Sequence, residues 1–128
     1  MINKQQILNI GFFNLARIQS LKVNFRARIG AVLVKKGKPI NVGQNRPYKT
    51  HPFIRKYHKH KTIHAEIDTI IGLDRHLVNG SNLYVYREIS NGDLANSKPC
   101  EMCMKILKDL GLRRIYYTHE KGYSEIKL

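Results

Sequence analysis

Apolar positions recur along the chain at two spacings, and those spacings predict its elements. Residues 3–20 carry Leu8, Phe12, Leu15 and Ile18 at intervals of three and four, one stripe of a helix. Asn3 followed by Gln6 reads as a capping box at its start. Residues 28–35, RIGAVLVK, are apolar and β-branched and predict a buried strand. KKGK then reads as a tight turn and PINVGQN as a second strand, giving an antiparallel hairpin. A helix is expected over 63–72 with Ile67, Ile70 and Ile71 inward, and a strand over 82–89, NLYVYREI. Pro99 suits the first turn of another helix. In that helix Cys103, Ile106, Leu107 and Leu110 share a face, and Gly111 ends it. RRIYYTH is a further strand. The strands near 84 and 116 flank a helix, which makes them parallel neighbours joined by a right-handed crossover. EKG turns the chain back, so 123–128 reads as an antiparallel edge strand. The sum is an α/β architecture: a mixed sheet of about five strands with helices on its faces.

One stretch has no period. Residues 46–61, RPYKTHPFIRKYHKHK, hold two prolines, six Lys or Arg, three His and no acid, and predict a long surface loop. A loop of that length in a compact fold is more often functional or mobile than neutral. Tyr48, Phe53 and Tyr57 are interleaved with Arg46, Lys49, Arg55 and Lys56. Rings among cations suit stacking on exposed bases with phosphate contacts, and they suit equally well the anchoring of a loop to its core. His51, His58 and His60 suggest a second metal. Six cationic neighbours would repel a divalent ion, so a solvated basic loop is the preferred reading.

Composition changes the picture in three ways. The 128 residues, 42 % hydrophobic, suit one domain over 1–128 with one core. No apolar run approaches the ~20 residues of a membrane span, and MINKQQILNIGFF lacks the pattern of a signal peptide. A soluble cytoplasmic protein without a membrane partner is expected. Lys and Arg total 23 against 9 Asp and Glu, a net +14, which favours a polyanionic partner or a phosphate-bearing substrate over a merely basic surface. The only cysteines, Cys100 and Cys103, form a C-x-x-C. That excludes a disulfide framework and leaves a redox pair or half of a metal site.

His64 supplies the other half. One imidazole and two thiolates are ligands of the kind zinc takes, and three protein ligands leave a fourth position for water, as in catalytic sites. Both cysteines fall in the first turn of their helix, where unpaired N–H groups and the positive dipole end favour thiolate. Glu66, two residues past His64, is what a structural zinc site does not need. From the same helical turn it can reach a bound water, take its proton and deliver it to a leaving nitrogen.

His64-Ala65-Glu66 and Pro99-Cys100-Glu101-Met102-Cys103 match the H-x-E…P-C-x-x-C signature of zinc-dependent nucleobase deaminases. The 32 residues between Glu66 and Pro99 accommodate a helix, a strand and a connection. Over most of its length the chain resembles the cytidine and deoxycytidylate deaminase superfamily. The resemblance implies a three-layer α/β/α fold with a mixed five-stranded sheet. It implies zinc on His64, Cys100 and Cys103, with Glu66 as proton shuttle. Hydroxide would attack C4 of a cytosine or C6 of an adenine and release ammonia. Ala65 N–H would sit near the base carbonyl. Asn45, with Arg46 beside it, stands where relatives contact base or sugar, although an asparagine ending a strand is also an ordinary turn residue.

The motif NRP at 45–47 is similar to tRNA adenosine deaminases. The insert between Asn45 and His64 is similar to deoxycytidylate deaminases, some of which carry an additional zinc there. The implied function is hydrolytic deamination of a cytosine base, deoxycytidylate or a related cytidine nucleotide first. The alternative is a polynucleotide deaminase acting on tRNA adenosine or single-stranded DNA or RNA cytosine. Lys49, Arg55, Lys56, Lys59 and Tyr57 would then contact phosphate or nucleic acid. A third reading is an inactive, zinc-stabilised nucleic-acid-binding module, against which Glu66 speaks. Relatives assemble as dimers, tetramers or hexamers, so the resemblance leaves a homo-oligomer open.

Overall fold

Alternation along the strands builds two halves of a core. Ala31 and Leu33 of β1 (Ile29–Lys35) face one way with Leu83 and Val85 of β5 (Asn82–Arg87) and Ile115 of β6 (Arg114–His119). Val32 and Val34 face the other way with Tyr86. The first set is covered by Ile67 of α4 (Ala65–Asp68) and by Cys103, Ile106 and Leu107 of α6 (Glu101–Asp109). The second is covered by Ile7 of α1 (Lys4–Leu8) and by Phe13 and Ala16 of α2 (Phe13–Ser20). Helices therefore lie on both faces of one sheet, the three-layer α/β/α arrangement. The computed structural model describes residues 2–47, 49, 51–55 and 62–128, with backbone alone at 54 and 55.

The sheet has five strands in the order β2-β1-β5-β6-β7, with β2 at Lys38–Gln44 and β7 at Gly122–Lys127. β1 is antiparallel to β2 and to β5, β5 and β6 are parallel, and β6 and β7 are antiparallel. The predicted hairpin, parallel pair and edge strand are all present. The hairpin turns through Lys36 and Gly37, both at positive φ (52° and 75°), the geometry that keeps a two-residue turn in step with strand twist. The α6 C-terminus closes with Gly111 at φ 86°; its N–H meets the Lys108 carbonyl and the Leu112 N–H the Leu107 carbonyl. This is a Schellman closure, and it returns the chain into β6.

Several expectations are corrected. The helix expected over 3–20 is two helices, broken around Gly11 at φ 50°; a Cβ there would lie 2.5 Å from the Tyr84 hydroxyl. The break rotates the buried stripe to Ile7, Phe13, Ala16 and Ser20, leaving Ile18 exposed. The capping box is present: Gln6 N–H donates to Asn3 Oδ1 and Asn3 N–H to Gln6 Oε1. The 46–61 segment is not loop throughout. It holds β3 (Arg46–Pro47), paired antiparallel with β4 (Thr62–Ile63), and the short α3 (Pro52–Arg55). The helix expected over 63–72 is α-helical only at α4 and continues as turns, with Ile67 and Ile70 buried and Ile71 half-buried. The strand over 82–89 stops at Arg87, and Pro99 precedes the α6 cap instead of entering its first turn. A short helix, α5 (Arg75–Val78), follows Asp74 where none was expected. Among the described residues no helix is long and apolar enough to cross a membrane.

Candidate metal centre

α4 and α6 cover the same face of the sheet, and their N-termini bring His64, Cys100 and Cys103 together. His64 is the N-cap of α4 and Cys100 the N-cap of α6, both in extended backbone. Cys103 sits one turn into α6, and its N–H donates to Cys100 Sγ at 3.5 Å. His64 Nδ1 lies 3.2 Å from Cys103 Sγ and 3.7 Å from Cys100 Sγ. All three donor atoms fall within 4.8 Å of one another. A tetrahedral zinc would set nitrogen–sulfur separations of roughly 3.6 Å, from bond lengths of about 2.1 and 2.3 Å. The observed pairs bracket that value, so the donor set fits zinc in kind and in spacing. Among the described residues this is the one such group.

Glu66 stands beside this trio, 3 % exposed. Burial raises its carboxyl from 4.5 to about 7, and hydrogen bonding with the Cys103 side chain only partly opposes that. Burial also pushes the Cys103 thiol up, reinforced by the nearby Glu66 and Cys100. Ionised acids are therefore disfavoured here without a cation among them, and a divalent ion reverses that logic. Cys103 and Glu66 are buried, His64 is half-buried and Cys100 is exposed, and this convergent, acidic cluster has the electrostatics of a cation site.

Polar contacts behind the trio position it. Asp68, one turn past His64, accepts from Gln44 N–H at 3.0 Å and from Arg46 Nε at 2.8 Å. Asn41 Nδ2 donates to the Thr69 carbonyl at 2.8 Å, and Thr69 Oγ1 to the Glu66 carbonyl at 2.6 Å. α4 also lies close over Gly43, where a Cβ would stand 2.7 Å from the Ala65 carbonyl oxygen. On the α6 side the Ser97 hydroxyl and Thr118 lock the approach to Pro99. Thr118 N–H donates to Ser97 Oγ at 2.8 Å, Ser97 N–H to the Thr118 carbonyl at 2.9 Å, and Thr118 Oγ1 to the Ala95 carbonyl at 3.1 Å. None of Asp68, Thr69, Ser97 and Thr118 was singled out from sequence. Asp68 had one available signal: an acid among only nine, two residues past Glu66.

Ala65 is fully buried, and its N–H is a first-turn amide that the helix itself leaves unpaired. Asn45 faces the chain before β1: Nδ2 donates to the Ala27 carbonyl at 2.7 Å and Oδ1 accepts from Ile29 N–H at 2.8 Å. Arg46 is engaged with Asp68 and half-exposed. Lys49 is exposed, and Phe53 packs against the core cluster beneath α4 and α6. His51 accepts the Phe53 N–H through Nδ1 at 3.1 Å. Tyr48, Lys56, Tyr57, His58, Lys59 and His60, with the Arg55 side chain, lie outside the described residues, and so do the contacts expected of them.

Residues 14–119 match the family model described as the cytidine and deoxycytidylate deaminase zinc-binding region. Two solved structures of dCMP deaminase from the cyanophage S-TIM5 share the fold. The apo form superposes with a TM-score of 0.60 at 20 % identity, over 91 % of this chain and 84 % of that one. The form in complex with dCMP and dUMP gives 0.61 at 19 % identity, over 91 % and 83 %. No curated protein matches the chain in sequence.

Proposed function

Because the chain belongs to the cytidine and deoxycytidylate deaminase family, with zinc as its cofactor, we propose that it hydrolyses the exocyclic amine of a cytosine base. Deoxycytidylate or a related cytidine nucleotide is the first substrate. The observation carrying this reading is the convergence of three zinc-type donors within 4.8 Å beside a buried carboxylate. His64 and the thiolates of Cys100 and Cys103 would hold the ion. Zinc supplies Lewis-acid activation of the attacking water. Glu66 takes a proton from that water and gives it to ring nitrogen N3 as the C–O bond forms at C4, then moves the remaining hydroxyl proton to the amine nitrogen, so that the C–N bond breaks, ammonia leaves and C4 keeps a carbonyl. The Ala65 N–H, at the same helix N-terminus, orients the base carbonyl. The cyanophage relative solved with dCMP and dUMP supports the nucleotide as first choice.

Ammonia release from dCMP, cytidine and adenosine, each with Glu66→Gln as control, tests the reading. Turnover of dCMP is expected, with a loss of about 10²–10⁴-fold in the variant at unchanged zinc content. Absence of turnover on every cytosine and adenine substrate by the zinc-loaded protein would sink it. The net +14 supports a second reading, deamination within a single strand. A steep salt dependence of oligonucleotide turnover, absent for dCMP, would favour that second reading.

A further inference from the structure

A cleft of about 730 Å³ opens at the carboxyl end of β5, the end from which the chain leaves for Cys100. Lys4, Arg17, Arg26, Arg28 and Arg87 line it, with Glu88 as its one carboxylate. Glu88 is consumed inside the wall, bonded to Lys4 Nζ at 2.9 Å and to Arg17 Nε at 2.8 Å. Among the described residues Arg26, Arg28 and Arg87 meet no carboxylate. Arg28 Nε and Arg87 Nη1 each reach only a backbone carbonyl, of Phe25 and Asn96, at 3.3 Å. Three guanidinium groups on two walls exceed what one phosphate needs, and guanidinium matches phosphate in a paired geometry that ammonium does not. The Phe25 ring, 37 % exposed, lies on the same wall. A ring beside arginines suits an unstacked base with its backbone. The wall is also tied to the end of β2, since Asn45 bonds the Ala27 carbonyl and the Ile29 N–H while its neighbours Gln44 and Arg46 bond Asp68 of α4.

We propose that this cleft binds the backbone of single-stranded nucleic acid, with Arg26 and Arg28 on phosphates and Phe25 under a base. The proposal does not depend on which base is deaminated, because binding is read without turnover.

Fluorescence anisotropy of a labelled single-stranded 12-mer, titrated over a salt series, tests it. Arg26→Gln/Arg28→Gln removes two exposed cations. Lys36→Gln/Lys38→Gln removes the same charge from the hairpin turn at the opposite end of β1, also at exposed positions. The arginine pair is expected to lower the slope of log Kd against log salt by about 1.4, roughly 0.7 per lost phosphate contact, and the lysine pair by much less. Phe25→Ala is expected to weaken binding at every salt concentration. Equal losses from both pairs would mean general basicity and overturn the proposal. So would polyglutamate competing as well as the oligonucleotide at equal charge, or no binding by the folded wild type. dCMP turnover in the arginine pair separates this proposal from the deaminase reading: either can fail alone.

Discussion

Cys103 carries two roles at the scale of one residue. It is fully buried within the core cluster, and its sulfur faces His64 Nδ1. Cys103→Ala is expected to remove bound zinc and to lower the melting temperature, because it takes a ligand and opens a small void together. Metal analysis of the purified variant checks this; stoichiometric zinc would refute the ligand assignment. Residue types and spacing made His64, Glu66, Cys100 and Cys103 legible, because zinc chemistry admits few donors. Asn45 and Arg46 were legible only as positions. Their partners, Ala27, Ile29 and Asp68, lie 16 to 22 residues away in the chain, and no local pattern announces such pairs.

Single elements decide how well the trio is held. α4 rests on β2 at Gly43, whose absent side chain admits the helix backbone. Gly43→Ala is expected to cost about 1–3 kcal/mol by overpacking, since both the Ala65 carbonyl and the Thr69 N–H would have to retreat. Thermal melting checks the cost, and a parallel drop in zinc occupancy would show that the retreat reaches His64. Hydrophobic spacing revealed the hairpin, the parallel pair and α6, where each element is long enough for its period to repeat. It failed at the N-terminus for a physical reason. Leu8, Phe12, Leu15 and Ile18 fit one helix arithmetically, but Gly11 at positive φ, lodged against Tyr84, ends that helix and restarts it with a different face inward. The four-residue α5 is too short to show any period.

The whole molecule is strongly cationic, so each acid matters where it sits. Burial alone would raise the Glu88 carboxyl, but hydrogen bonds and charge from Lys4 and Arg17 outweigh it and hold the group below its ordinary value. A folded-state value depressed below the unfolded one gives stability that is present above the unfolded pKa and lost as pH falls through the folded one. Glu88→Gln is expected to destabilise by about 1.5–3 kcal/mol at neutral pH, the range for hydrogen bonds to charged groups. That deficit should shrink in acid, once pH has fallen below the ordinary carboxylate range and through the depressed folded-state value, where the wild-type carboxylate is also protonated. Denaturation across pH 3–7 reads it, and a pH-independent deficit would show that packing, not charge, is what Glu88 provides. The same residue joins α1 and α2 to the end of β5, so its loss should also loosen one wall of the arginine-lined cleft.

The separation of the trio along the chain bears on folding as well as chemistry. His64 and Cys100 stand 36 residues apart, with α4, α5 and β5 between them. An ion gripping both ends closes that stretch into a ring, as a covalent cross-link would. By the loop-entropy relation used for disulfides, a ring of this size removes of order 3–4 kcal/mol of freedom from the unfolded chain. A zinc ion held by this trio would thus act as a staple, holding the strand at the centre of the sheet between the two helices that present the donors.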